Sequence, residues 1–154
     1  MCSKILSNDP EAKILIVLSI RDSINEIARL FSTNDHIKCG IFTNDTDPDK
    51  KVKQLNRNII LSTLKSSGAG MDIKNLRCII NFVPFKSTVL LHQLMGRLRY
   101  IEGKALFYFN IVDDGYENIT RQNIKRQYFF RSKAADIKNM RLDMNVLLSM
   151  MYKE

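Results

Sequence analysis

The stretch NIILSTLKSSGAGMDIKNLRCIINF, Asn58 to Phe82, holds two aliphatic runs on either side of a segment of small hydroxyl residues and glycines. NIILS (Asn58 to Ser62) and RCIINFV (Arg77 to Val83) are short and β-branched, without polar alternation. Runs of that kind are strands with both faces buried, as in parallel sheets. The intervening segment is too long for a tight hairpin and long enough for a crossover connection.

Outward from this stretch, three further runs have the same character: KILIVLS (Lys13 to Ser19), IKCGIF (Ile37 to Phe42) and ALFYFNIV (Ala105 to Val112). Two of the connections read as amphipathic helices. Arg21 to Phe31 carries Ile24, Ile27, Ala28 and Phe31 on one stripe, and Thr88 to Met95 carries Val89, Leu90, Leu91 and Leu94. The expected fold is an α/β, mostly parallel open sheet of about five or six strands with flanking helices. Helical patterns from about Tyr116 to Phe130 and from Asp136 to Tyr152 follow, the second with Ile137, Met140, Met144, Leu147, Leu148 and Met151 as a core or docking stripe. The expected organisation is a single domain, with its core over about 13–112 and a helical extension over about 114–154.

The composition of the 154 residues, 45% hydrophobic and 26% charged with 6 Gly and 3 Pro, suits one compact globular unit and excludes disordered and fibrous classes. Cys2, Cys39 and Cys78 are widely spaced and odd in number, which indicates neither a disulfide framework nor a zinc site. No metal site is expected in the chain, and a reducing compartment fits. The longest apolar run, Ile14 to Ile20, is far too short to cross a bilayer, so no membrane association is expected. The expected location is the cytoplasm, or the host cytoplasm or virion for a viral protein. The net charge is +8, and between Arg121 and Arg141 seven Lys or Arg stand with a single acid, Asp136. Such a patch suits either a polyanion or a solvated helix face.

Open parallel sheets bind ligands at the carboxyl ends of their strands. After the first strand come Ser19, Arg21 and Asp22; after the third comes STLKSSGAGMD, Ser62 to Asp72, whose glycines and hydroxyls permit close approach of backbone amides to phosphate. It is not a P-loop, since no Gly-Lys-Ser/Thr follows at the required spacing, and EGKA (Glu102 to Ala105) precedes a strand instead of a helix. NIVDDG (Asn110 to Gly115) reads as a strand-end turn that caps the following helix, in preference to a magnesium site. A Rossmann dinucleotide site fares poorly as a third reading, because SIRDS stands where a G-x-G-x-x-G loop is needed.

HQLMGRLRY, His92 to Tyr100, runs from an apolar helix into Gly96 and then Arg97 and Arg99. Guanidiniums that close repel each other unless an anion stands by, and a phosphate is the natural one. If the helix continued past Gly96, Arg99 would point roughly 120° away from Gln93. If the chain leaves the helix there, as glycine permits, both arginines can converge on one phosphate.

Together, NIILSTLKSSGAGMDIKNLRCIINF and HQLMGRLR resemble the second RecA-like lobe of superfamily 2 helicases. The loop ending in Gly-x-Asp-Ile is similar to motif V, Gln-x-x-Gly-Arg to motif VI, and KILIVLSIRDSINEIARLF to motif IV, over about residues 13–112. Phage UvsW-type and poxvirus transcript-release-type helicases look nearest, partly through IVDDGYENITRQNIKRQYFFR. The resemblance implies a motor lobe of an ATP-dependent helicase or translocase. ATP with Mg²⁺ would be held mainly by an N-terminal P-loop lobe, in cis or in trans. Gln93, Arg97 and Arg99 would act on the γ-phosphate as catalytic groups, with Gly70 and Asp72 also at the nucleotide. Ser19, Arg21, Ser62, Thr63 and Lys65 would contact a DNA or RNA backbone, joined by Arg121, Lys125 and Arg126 of the basic patch. One departure is that Tyr100 stands where the motif usually has its second arginine, which is here Arg99. The missing first lobe implies a fragment or a free-standing half, hydrolysing ATP negligibly alone. The alternative is a non-catalytic nucleic-acid-binding or regulatory module on the same fold. In KRQYFFR (Lys125 to Arg131), helical spacing sets Tyr128 and Arg131 on one side and turns Phe129 and Phe130 toward the core.

Overall fold

The computed structural model describes residues 2–32, 39–68 and 72–141. Five strands, β1 (Lys13–Leu18), β2 (Cys39–Phe42), β3 (Ile59–Thr63), β4 (Leu76–Asn81) and β5 (Phe107–Asn110), form one sheet in the order β2-β3-β1-β4-β5. Every pair is parallel. The helices are α1 (Cys2–Asn8), α2 (Arg21–Ser32), α3 (Pro48–Leu55), α4 (Leu64–Gly68), α5 (Thr88–Met95) and α6 (Glu117–Lys133). The open parallel α/β sheet expected from the sequence is present.

β1 is the centre, with Ile14 in register with Ile59 on one side and Cys78 on the other. Its side chains alternate between two apolar layers, as the pleat requires. Ile14, Ile16 and Leu18 join Ile59, Leu61, Cys78 and Ile80 beneath Ile24 of α2 and the apolar side of α1. Leu15 and Val17 join Ile60 and Ile79 beneath Leu91 and Leu94 of α5, with Phe129 and Phe130 of α6 packed alongside. A sheet covered on both faces explains strands that read as unbroken aliphatic runs.

The structure departs from the sequence reading at the margins. β2 and β5 are edge strands and only partly buried, with Phe107 42% exposed, so the expectation of five fully buried strands fails at both edges. Val89 is 63% exposed and lies outside the buried stripe of α5. Residues 136–141 are not helical, and Ile137 and Met140 are exposed, while Met144, Leu147, Leu148 and Met151 lie outside the described residues. The segment Asp113 to Gly115 does not cap α6: Asp113 accepts from the Gly115 amide at 3.0 Å, and the N-cap residue is Tyr116, which makes no side-chain capping bond. α3 was not foreseen, although Asp47, whose side chain accepts from the Asp49 amide, followed by Pro48 is a helix-start signal. Among the described residues no helix is long and apolar enough to cross a membrane.

Polar staples hold the amino end of the sheet. Lys13 Nζ donates to the Leu55 carbonyl at 2.7 Å, and Asn58 Nδ2 donates to the Pro10 and Ala12 carbonyls at 2.8 and 3.1 Å. Asp9 accepts from Lys104 Nζ at 2.8 Å and from the buried Arg77 Nε at 3.3 Å, joining the α1–β1 turn to β4 and the approach to β5. At the β2 edge, Gln54 Oε1 accepts from the Ile41 amide at 3.0 Å. A Cβ at Gly40 would stand 2.2 Å from the Gln54 carbonyl oxygen, so α3 lies on β2 only because residue 40 has no side chain.

Gly40→Ala is therefore expected to destabilise the fold by about 1–3 kcal/mol or more, read as a lower midpoint in urea denaturation; an unchanged midpoint contradicts this packing. Asp9 gives a pH signature. The hydrogen bond from Lys104, with the charges of Lys104 and Arg77, holds its carboxyl below the usual carboxylate range against the opposing effect of burial. A depressed folded-state pKa stabilises fully above the unfolded value of about 3.9 and is lost as pH falls through the folded value. Asp9→Asn should therefore flatten the acid limb of the stability–pH curve and leave its neutral region lower; parallel curves would rule out this role.

Candidate functional site

Because all strands are parallel, their carboxyl ends share one edge, and most of the singled-out polar residues follow them there. α5 projects the central group. Ser87 caps it, its side chain accepting from the Leu90 amide at 3.3 Å. The helix ends at Met95, and the chain continues in tight turns, with Arg97 N donating to Leu94 O at 3.2 Å and Leu98 N to Met95 O at 2.9 Å. Gly96 stays right-handed at φ −62°, so its use is not left-handed freedom; a Cβ there would press to 3.0 Å from the His92 carbonyl oxygen.

Of the two geometries open from the sequence, the structure takes the one in which the chain leaves the helix at Gly96. Gln93, Arg97 and Arg99 line one cavity of about 310 Å³ with Asp72, Ile73, His92 and Gly96. Arg99 Nη2 is 3.3 Å from Asp72 Oδ1, both side chains more than half exposed. Burial lowers the pKa of the half-buried Arg97 guanidinium while the Asp72 charge opposes that shift. A guanidinium keeps its proton throughout the ordinary range, so the cavity presents two cations and one carboxylate. Tyr100 is 83% exposed and does not line it.

A second, more apolar hollow of about 530 Å³ adjoins through Gln93, lined also by Ser19, Thr63, Leu64, Lys65, Val83 and Leu90. Gln93 thus belongs to both. Two residues after Ser19, Arg21 donates to Asp45 Oδ2 at 2.6 Å, an exposed pair, with Thr43 Oγ1 at 3.5 Å. Thr63 Oγ1 donates to Ser66 Oγ at 2.8 Å and accepts from the Ser66 amide, which starts α4 where an open loop was expected. Ser66 Oγ in turn donates to Asn44 at 2.9 Å.

Other expected contacts are placed elsewhere. Ser62 is fully buried, so it supports the strand end from beneath and presents no hydroxyl at the surface. Gly70 lies outside the described residues. Arg121 and Lys125 are on the outer face of α6. Arg126 is 2% exposed: its Nη1 donates to the Phe85 carbonyl at 3.1 Å and its guanidinium lies 5.5 Å from the Phe85 ring centroid. A side chain so enclosed cannot reach a nucleic-acid backbone, which corrects its assignment as a contact.

Sequence reasoning missed how α6 braces α5. Arg126 holds Phe85, two residues ahead of the Ser87 cap, and Phe129 packs edge-on against His92, beside Gln93, at 4.3 Å. It also missed an asparagine relay at the strand ends, in which Asn81 Nδ2 donates to Val83 O at 3.0 Å and to Asn110 at 3.4 Å, and Asn110 Nδ2 to Asn123 at 2.9 Å. An Arg inside an otherwise basic helix carries no sequence mark of its burial.

Residues 1–100 match the family model of the helicase conserved C-terminal domain. No curated protein matches the sequence. Among solved structures the chain is similar to the C-terminal part of the Fun30 ATPase domain, at 15% identity and TM-score 0.63 over 97% of this chain and 49% of that one. It is similar to the Pyrococcus furiosus Hef helicase domain, at 18% identity and TM-score 0.56 over 81% of this chain and 26% of that one. It is also similar to the E. coli DEAD-box protein SrmB bound to regulator of ribonuclease activity A, at 15% identity and TM-score 0.63 over 94% and 85%. The chain thus spans about half of the first structure and about a quarter of the second. These likenesses concern the fold.

The two arginine contacts should behave differently on removal of one partner. Arg126→Ala opens a cavity and strips a buried carbonyl of its donor, and is expected to cost about 2–4 kcal/mol. Asp72→Ala breaks an exposed pair and should cost less than about 1 kcal/mol. Equilibrium denaturation of both variants checks the ranking; equal costs would contradict it.

Proposed function

Because this chain belongs to the helicase conserved C-terminal domain family, we propose that it serves as the second motor lobe of a nucleic-acid-dependent ATPase, a helicase or translocase. One observation carries the reading: the cavity of Gln93, Arg97 and Arg99 shares Gln93 with the hollow of Ser19, Thr63 and Lys65 at the strand ends. A donor-rich phosphate site and a backbone-contact site then have one side chain in common.

The residues fit a triphosphate arriving from outside. Arg97 and Arg99 offer planar, bidentate donors, and Gln93 adds an amide. Asp72 is the one carboxylate lining the cavity and is engaged with Arg99, so the magnesium that accompanies ATP would be held by a P-loop lobe, in cis or in trans. ATP supplies the energy of hydrolysis when bound between the lobes. Arg97 stabilises charge gathering on the equatorial oxygens of the γ-phosphoryl group, and only when the lobes are closed. Arg99 assists, after exchanging a screened surface contact with Asp72 for the phosphate; such a pair, at about 1 kcal/mol or less, is no barrier. Gln93 orients the phosphate or its attacking water. At the hollow, Lys65 neutralises backbone phosphate and the Ser19 and Thr63 hydroxyls bond to it, while Arg21, two residues beyond Ser19, adds a further cation on exchanging its exposed contact with Asp45, which makes binding salt-sensitive and largely indifferent to sequence.

In a two-lobed assembly, Arg97→Ala is expected to lower kcat by about 10³-fold while nucleic-acid affinity stays within a few-fold of wild type. The isolated chain should hydrolyse ATP negligibly. Steady-state ATPase and filter binding decide: full activity in Arg97→Ala would remove the motor-lobe role and favour a non-catalytic binding module.

A further inference from the structure

α6 carries two different faces. The inner face holds Arg126, Phe129 and Phe130 against Phe85, His92 and Tyr108. The outer face presents Arg121, Ile124, Lys125, Tyr128 and Arg131, which recur at three- and four-residue intervals and are all exposed. At about 1.5 Å per residue this stripe runs roughly 15 Å along the helix. Tyr128 stands midway between Lys125 and Arg131, 69% exposed. Arg121 is engaged by Glu117 at 2.6 Å, whereas Lys125, Arg131 and Lys133 have no carboxylate within ion-pair distance among the described residues. α6 also lies beyond residues 1–100, so the family match assigns this face nothing.

We propose that the outer face of α6 is a second nucleic-acid surface, one for a single strand: Tyr128 stacks on an unpaired base while Lys125 and Arg131 hold the flanking phosphates. The inference rests on the reading of the chain as a nucleic-acid-dependent lobe and adds a site separate from the hollow at the strand ends. Cations on both sides of a solvent-exposed ring, with no carboxylate paired to them among the described residues, are the elements of a single-strand platform, since any base offers a π face and the backbone supplies the charge. The other occupants fit less well. A basic helix that lies on a membrane needs its apolar face outward, and the aromatics of α6 other than Tyr128 are turned into the fold. A protein-docking face is depleted of lysine at its centre, where this one has Lys125 beside Tyr128. Duplex bases, being stacked on each other, offer the ring nothing to stack on.

The test is fluorescence anisotropy of a labelled oligothymidylate and of a labelled duplex, titrated with the 154-residue chain at several salt concentrations. Tyr128→Ala should weaken single-strand binding about tenfold and duplex binding less than twofold, and Tyr128→Phe should restore it. Lys125→Gln with Arg131→Gln should reduce the slope of log affinity against log salt by about 1.4, at about 0.7 per phosphate. Circular dichroism checks that each variant is folded, which the exposure of these side chains favours. The proposal is overturned if Tyr128→Ala binds as wild type, if single-strand and duplex affinities fall together, if Tyr128→Phe fails to rescue, or if the wild-type chain does not bind the single strand at low salt. Arg21→Gln separates the two readings: binding lost there and kept in Tyr128→Ala removes the α6 site and leaves the strand-end site. Failure of the motor-lobe reading appears instead in ATP hydrolysis, which this titration does not measure.

Discussion

The parallel pairing of β1 with β3 on one side and β4 on the other is the constraint from which the rest follows. A parallel strand in that position must be buried on both faces, so its residues are aliphatic from Ile14 to Leu18 and helices must cover both layers. Parallel direction also brings every strand to its carboxyl end at one edge. That places Ser19 after β1, Thr63 at the end of β3 and Val83 after β4 around one hollow, although they are far apart in sequence. The polar staples Lys13, Asn58 and Asp9 fix the opposite edge.

The site itself depends on where α5 stops. Its last turn gives way at Gly96 to short turns that swing Arg99 back toward Asp72 and keep Arg97 beside Gln93. Charge is distributed unequally between the two arginines. Arg97 is half-buried, with its pKa lowered by that burial, and Arg99 is exposed and screened. A partly desolvated cation interacts more strongly with an anion than a solvated one, so the two arginines differ in what each would offer a phosphate. α6 holds this geometry from behind: Arg126 carries a buried charge at a cost in solvation and in return fixes the carbonyl of Phe85, while Phe129 packs against His92.

Much of the fold was legible because the period of the hydrophobic pattern reports burial directly. The strands, α2 and α5 follow from aliphatic runs and the Ile24 and Leu91 stripes, and the edge status of β2 and β5 does not, since strand order is a tertiary property. α4 escaped because Leu64 to Gly68 is too short for a period and is started by a hydroxyl of Thr63 that sequence cannot distinguish from a loop serine or threonine. In the site, the spacing left two geometries open past Gly96, and only the structure shows that the helix ends there and that Gln93, Arg97 and Arg99 line one cavity. The pairing of Arg99 with Asp72 was not legible, because it spans separate crossovers. Ser62 and Arg126 show the commonest failure, in which residue type suggests surface chemistry and the packing of one strand or helix face decides otherwise.

The most direct measurement is a structure of this lobe assembled with a P-loop lobe, a nucleic-acid strand and a non-hydrolysable ATP analogue. The expected result is the Arg97 guanidinium within hydrogen-bond distance, about 3 Å, of a γ-phosphate oxygen, with Gln93 between that phosphate and the hollow of Ser19 and Thr63. A closed, nucleotide-bound assembly in which Arg97 points away from the γ-phosphate and another residue takes that contact would contradict it.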